Sequence, residues 1–164
     1  MAVIVVSDTS PLNYLRKIGR LELLPQLFGE VLIPSAVRRE WERDFAHAPS
    51  PTYDWLRVVE PRDRGAVSEL RRTLDEGEAE AIVLAEECGA ELLLIDETDG
   101  RAVAENRGLT ITGVLGVFVR AKDAGLIPAI RPEIGRLLAE TNFYSKAPLL
   151  NRVLALAGEP PITP

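Results

Sequence analysis

Two short apolar runs, residues 2–7 and 91–95, constrain the fold of this chain more than any other feature of its sequence. The first, A-V-I-V-V-S, is continuous and carries four β-branched residues. A strand with one face in water alternates apolar and polar residues, and this run does not. It therefore needs cover on both faces, as a strand inside a parallel sheet has. The second run, E-L-L-L-I, has the same character, and each run is followed at once by an aspartate, Asp8 and Asp96.

Between and after these runs, helical and strand patterns alternate. Ser10-Pro11 is a good helix start, with serine as N-cap and proline at the first helical position. That helix continues through Leu12, Leu15 and Ile18 to Gly19, and a second covers residues 21–28 up to Gly29. A short strand is expected at 31–33. Pro34-Ser35 then opens a helix carrying Val37, Glu40 and Trp41. Residues 47–51 read as a loop and 57–59 as a third strand. Helices are expected at 64–74, 78–88 and 99–106, closed by Gly77, Gly89 and Gly108, with a last strand at 109–112. Three helices follow, 114–124, 132–140 and 147–157. Such alternation predicts a three-layer α/β/α fold around a central parallel sheet. The 164 residues suit one domain with a sizeable core. We read its core as about 1–128 and a C-terminal helical extension as about 131–158.

Composition narrows the function classes. With 46% hydrophobic and 27% charged residues the chain is ordinary for a water-soluble globular protein. No apolar run reaches the roughly 18–20 residues of a membrane span, and no basic region precedes the first apolar stretch as a secretory signal would require. Cys88 is the single cysteine, so no internal disulfide can form, which fits a reducing cytoplasm. The net charge of −6 argues against a module that binds nucleic acid by neutralising phosphates. It argues less against a metal-dependent nuclease, whose site must be acidic and whose bound cation reverses the local field.

The two aspartates share a structural address. Ligands of open parallel sheets bind outside the carboxyl ends of the strands, so Asp8 and Asp96 should project into one crevice. The plainer alternative is that each caps the helix after it. Glu40, on the helix behind the second strand, and Glu78, opening the helix after Gly77, plausibly join them. Asp75, Glu76 and Glu80 crowd Glu78, and the sequence leaves the choice among them open. Clustered carboxylates raise one another's pKa, and a hard cation such as Mg²⁺ both relieves that repulsion and activates water. Competing chemistries lack their residues. His47 is the sole histidine and lies in the Pro-rich loop, no Cys/His set suits zinc, and no glycine-rich phosphate loop occurs. Cys88, near a helix end, reads as a small core residue.

The segments V-S-D-T-S-P-L (6–12), I-P-S-A-V-R-R-E (33–40), G-E-A-E-A-I-V-L-A (77–85) and L-L-I-D-E-T-D-G-R (93–101) resemble, in order and spacing, the successive acidic motifs of PIN domains. With I-T-G-V-L-G-V-F-V (111–119) and N-R-V-L-A-L-A-G-E (151–159), the similarity is to a prokaryotic branch related to the VapC-type toxins. The resemblance implies a PIN fold with Asp8, Glu40, Glu78 and Asp96 as catalytic, metal-holding acids. It implies Asp99 as an accessory acid and a supporting hydroxyl from Thr9 or Ser10. It implies Mg²⁺- or Mn²⁺-dependent hydrolysis of RNA that leaves a 5′-phosphate and a 3′-hydroxyl. Toxin relatives are often homodimers held in check by a small antitoxin, so a homodimer and an antitoxin partner are expectations too. Many toxins carry Asp where this chain has Glu78.

Arg38, Arg39 and Arg101 are candidates for guiding RNA, against the plainer reading of solvated helix faces. Arg43, Arg16, Lys17, Arg20 and Arg107 were weighed with them. Trp41 and Trp55 read as core or interface residues. Two other functions compete with the nuclease: a catalytically degenerate PIN fold serving as an interaction module, and an α/β phosphotransfer domain. The second is weakened because Asp8 is followed by Thr9-Ser10 rather than by the D-x-D of one such class, and because the late strand-end lysine of another is absent.

Overall fold

The computed structural model describes residues 3–44 and 52–162. The loop expected at 47–51, His47 with it, and Ala2 of the first expected strand lie outside the described residues. In chain order the elements are β1 (Val5–Ser7), α1 (Thr9–Lys17), α2 (Leu23–Phe28), β2 (Val31–Ile33), α3 (Ser35–Arg43), β3 (Leu56–Val58), α4 (Arg64–Leu70) and α5 (Glu76–Cys88). They continue with β4 (Leu92–Leu94), α6 (Thr98–Asn106), β5 (Ile111–Thr112), α7 (Val114–Asp123), α8 (Arg131–Glu140) and α9 (Ala147–Leu156).

The five strands form one sheet in the order β3-β2-β1-β4-β5, with every pairing parallel. The three-layer α/β/α architecture expected from the apolar runs is the one found. The chain steps outward from β1 to β2 and β3, then returns to the other side of β1 for β4 and β5. The order therefore reverses between β1 and β4, which makes the crevice beyond their carboxyl ends the place for a ligand.

The pleat sorts the sheet's side chains onto two cores. Val5, Val31, Ile33, Leu92 and Leu94 face one core, shared with Leu12 and Leu15 of α1, Trp41 of α3 and Phe118 of α7. Ile134, Leu137, Leu150 and Leu154 of the two C-terminal helices join that same core. Val6, Leu32, Leu93 and Ile95 face the other, built mainly from α5. That helix buries every residue from Gly77 to Ala85, because it lies across the sheet and is itself covered.

Two local readings shift. The first helix begins before Ser10-Pro11: Asp8 is its N-cap and Thr9 its first residue. Trp41 is fully buried in the first core and Trp55 packs against it, so the tryptophans are used internally instead of at a free surface.

Candidate active site

The strand register decides how the acids meet. Val6 pairs with Leu93 and Ser7 with Leu94, and the amide of Asp8 donates to the Leu94 carbonyl at 2.8 Å. Asp8 is thus level with Ile95, and Asp96 stands one residue further on. Successive strand residues point to opposite faces. Asp8 consequently continues the face of Val6 and Ile95, towards α5, while Asp96 continues the face of Leu94, towards α7.

On the α5 side, Asp8 is only 3% exposed. It holds the N-cap position of α1 without making a side-chain capping bond. Burial pushes its pKa up to about 8; the Thr9 amide opposes this, and the negative charges of Asp75, Glu40 and Glu97 add to it. Glu78, 7% exposed, is also raised to about 8, first by burial and then by Asp75 and Asp8. Half-buried Glu40 accepts a hydrogen bond from the Thr9 hydroxyl at 2.6 Å and from the Gly77 amide at 3.2 Å. Burial still raises its pKa. The Thr9 hydroxyl expected to support Asp8 therefore donates to Glu40, and Ser10 reaches Glu97 at 3.5 Å.

The crowd of acids around Glu78 sorts itself by partners. Asp75 caps α5, accepting from the Glu78 amide at 2.8 Å. Glu76 pairs with Arg39 at 2.7 Å and Arg71 at 3.8 Å. Glu80 accepts from the Ala36 amide at 3.1 Å and from Arg64 at 2.9 Å. Among the described residues, only Glu78 of this set has neither a cation nor a helix end to serve.

Asp96 lies across the switch point. Both its oxygens face the Val114 amide, at 3.1 and 3.2 Å, so it caps α7 and not the helix that follows it. Burial raises its pKa to about 6, with the Val114 amide and Arg101 opposing and Glu97 adding. Glu97, the N-cap residue of α6, adds negative charge to Asp8, Glu78 and Asp96 alike. It was missed in the sequence, although it adjoins Asp96 directly. Asp99 is exposed and lines a polar cavity of about 290 Å³ with Asp75, Glu78 and Glu97.

Three glycines admit these carboxylates, and sequence reasoning took none of them as functional. A Cβ at Gly77 would stand 2.6 Å from Glu40 Oε1, one at Gly100 would stand 3.2 Å from Glu78 Oε2, and one at Gly113 would stand 2.3 Å from Asp96 Oδ1. None of the three has a positive φ, so close approach and not backbone conformation explains them. The signal available was a glycine beside or near each acid, without a turn that needs it.

The candidate RNA-guiding arginines are largely engaged. Arg38 pairs with Glu42 at 2.7 Å and lies over the Trp41 ring, and Arg39 pairs with Glu76. Arg101 donates to the Ile95 carbonyl at 2.9 Å, which leaves its charge beside Asp96. The Cys88 thiol is pushed up by burial and packs against the second core, as a small core residue does.

A family model described as PIN domain matches residues 4–159, nearly the whole chain. The chain belongs to the PIN-domain family. No curated protein matches it significantly. PIN domains have a nuclease-type fold, are generally nucleases, and typically use Mg²⁺ or Mn²⁺. The candidate donors Asp8, Glu40, Glu78 and Asp96 offer only carboxylate oxygen, the ligand type that hard cations choose. Among the described residues, however, no three such groups already surround a single point. No described helix is long and apolar enough to cross a membrane.

Proposed function

We propose that this PIN domain is an endoribonuclease that hydrolyses RNA phosphodiester bonds with Mg²⁺ or Mn²⁺. Asp8, Glu40, Glu78 and Asp96 are its catalytic and metal-holding acids, and Asp99 is an accessory. One observation carries the reading: Asp8 and Glu78 are buried side by side with no cation, and both are raised to about 8. Evolution of a stable fold alone gives no reason to keep two such repelling groups, whereas binding a divalent cation does. A bound divalent cation supplies an activated water and stabilises charge on the phosphoryl oxygens.

The chain's own residues supply the rest. Thr9 and the Gly77 amide orient the Glu40 carboxylate. Asp8 and Glu78, protonated near neutral pH without metal, give up those protons as the site loads. Once ionised, Asp8 and Glu78 would hold the cation as oxygen ligands. Arg101 offers positive charge to a phosphate lying beside Asp96.

The biological setting that goes with this chemistry is a cytoplasmic toxin restrained by an antitoxin protein. Assembly as a homodimer belongs to the same reading. With Trp41 buried and Trp55 packed against the core, its support moves to exposed Leu138 and Leu156 on the C-terminal helices. Light scattering at micromolar concentration should give twice 18.0 kDa; a particle of the monomer mass would remove the homodimer.

A second reading is a degenerate PIN fold that binds partners without cutting. The attachment of Asp96 to Val114 favours it, since that acid already has an occupation. Purified protein incubated with defined RNAs in Mg²⁺, Mn²⁺ or EDTA separates the two. Cleavage confined to the metal arms is expected; its absence with either metal would leave the interaction module.

A further inference from the structure

A groove of about 350 Å³ is lined by Asp96 and by none of the other three acids. Its volume falls at the small end of the roughly 300–1,000 Å³ of small-ligand pockets. Asp96 and Arg101 stand at one end. Gly113 and Gly116 lie along it at the start of α7, and Leu149 and Val153 of α9 form the apolar wall. Tyr144 completes the lining, and it also borders the smaller cavity beside Asp96 and Glu97.

Tyr144 is 80% exposed. Among the described residues it is the one exposed aromatic; Tyr14, Tyr53, Trp55 and Phe143 are partly covered, and Trp41 and Phe118 are buried. Its backbone is nevertheless well anchored. The Phe143 ring packs edge-on against Tyr14 at 5.4 Å. The Phe143 amide donates to the Thr141 hydroxyl at 3.0 Å, and that hydroxyl donates to the Leu137 carbonyl at 2.6 Å. Next in the chain, the Ser145 hydroxyl is shielded from solvent and has no hydrogen-bond partner among the described residues.

An exposed ring on an anchored turn, an apolar slot behind it and a guanidinium at the end nearest the acids are what a nucleobase and its phosphate require. Bases stack on aromatic rings without regard to sequence, while the phosphate takes the positive charge. A paired base cannot leave its helix to enter such a slot without unstacking. We propose that this groove receives one unpaired nucleobase of a single-stranded RNA, stacked on Tyr144, next to the phosphodiester at Asp96. This deepens the nuclease reading and rests on it for the position of the cut. The groove fixes the substrate as single-stranded and makes the base beside the cut the one most closely read.

The test uses short single-stranded RNAs carrying 2-aminopurine at successive positions, with the duplex of the same sequence as competitor. Binding is measured with Ca²⁺ replacing Mg²⁺, and cleavage with Mg²⁺ or Mn²⁺. Fluorescence of the probe should be quenched at one position only, and the duplex should compete poorly. Tyr144→Ala should weaken binding by about 5- to 150-fold, the range for loss of one base–aromatic stack. It should raise KM far more than it lowers kcat. Tyr144→Phe should restore binding, because the ring and not the hydroxyl does the stacking. Leu149→Trp, which fills the slot from its rim, should mimic Tyr144→Ala. Equal binding by wild type and Tyr144→Ala, or equal affinity for single strand and duplex, would overturn the proposal even if the protein cuts RNA. Selective binding without cleavage in any metal would support the groove and sink the nuclease reading instead.

Discussion

Glu80 and Glu133 are buried as deeply as Asp8 and Glu78, at 1% and 4% exposure against 3% and 7%, yet the two pairs are opposites. Glu133, at the start of α8, receives three hydrogen bonds from the Arg20 guanidinium at 2.7–3.1 Å. Glu80 joins the Ala36 amide and Arg64. These two carboxylates are satisfied inside the chain and hold helices together. Asp8 and Glu78 face other acids. A buried carboxylate is therefore no sign of function by itself. The sign is a buried carboxylate left without a cation where the fold could have supplied one.

The comparison is open to attack, first through its largest expected effect. Asp8→Asn keeps volume and removes charge. Cleavage should fall by about 10²-fold or more, since one charged ligand of the cation is gone and misplacement at a reacting centre alone can cost that much. The metal-free melting temperature should stay level near neutral pH, where Asp8 is already protonated, and rise at higher pH, where the variant escapes the cost of ionising it. A variant that cuts RNA at the wild-type rate would place Asp8 with the structural acids.

Gly113→Ala probes positioning. The new methyl needs the space of Asp96 Oδ1 and should pull that carboxylate off the Val114 amide. Small misplacements at a reacting centre can cost roughly 10²-fold in rate. Cleavage assays should show a loss of about that size with near-wild-type circular dichroism. An unchanged rate would mean that Asp96 acts only as a helix cap.

Glu133→Gln should do the reverse of Asp8→Asn. Breaking a buried ion pair is costly, but Arg20 is about a third exposed, which screens the pair. A loss of roughly 1–2 kcal/mol is expected, or about 2–8 °C for a chain of this size. Catalysis below the transition should be retained. A rise in melting temperature on Glu133→Gln would end the distinction between the two kinds of buried acid.

A last test is a slope with pH. In the folded, metal-free protein Asp8 titrates near 8 against 3.8 unfolded, and Glu78 near 8 against 4.5. The native state then holds protons that the unfolded chain releases between about pH 4 and 8. Stability must fall as pH rises through that window, because the native state binds more protons there. Calorimetry in EDTA should show a lower melting temperature at pH 8 than at pH 5.5. Mn²⁺ should restore stability most at the higher pH, with proton release on binding. Asp8→Asn should flatten the metal-free slope. A metal-free protein whose stability climbs from pH 5.5 to 8 would show that these acids are ionised and paired after all.

Much of the fold was legible from residues alone, for a physical reason. The runs ending at Ser7 and Ile95 are too uniformly apolar for anything but a doubly covered strand, and the helix ends at Gly29, Gly89 and Gly108 sit where the pattern stops. Asp8 and Asp96 were legible as strand-end acids. Their separation onto two faces was not, because it depends on a one-residue offset between strands more than eighty positions apart, and periodicity within either strand carries no register. Glu78 could not be singled out from Asp75, Glu76 and Glu80 for a similar reason. What distinguishes it is the partners of the other three, and those of Glu76 and Glu80, with Arg39, Ala36 and Arg64 among them, come from other elements. Glu97 was not legible because the expected helix starts after it, at Asp99, and only the fold brings it near Asp8 and Glu78.

The attachment of Asp96 to the Val114 amide also has a consequence in time. While the chain is being made, Asp8 emerges before the other acids of the site, and the helix end that fixes Asp96 comes last of the site's parts. At roughly 5–20 residues per second, the stretch from Asp8 to Val114 takes about 5–20 s to synthesise. Until then Asp96 has no Val114 amide to hold it and the crevice is incomplete. The crevice is thus completed by sequence far from its first acid, and early folding of β1 cannot by itself assemble the site.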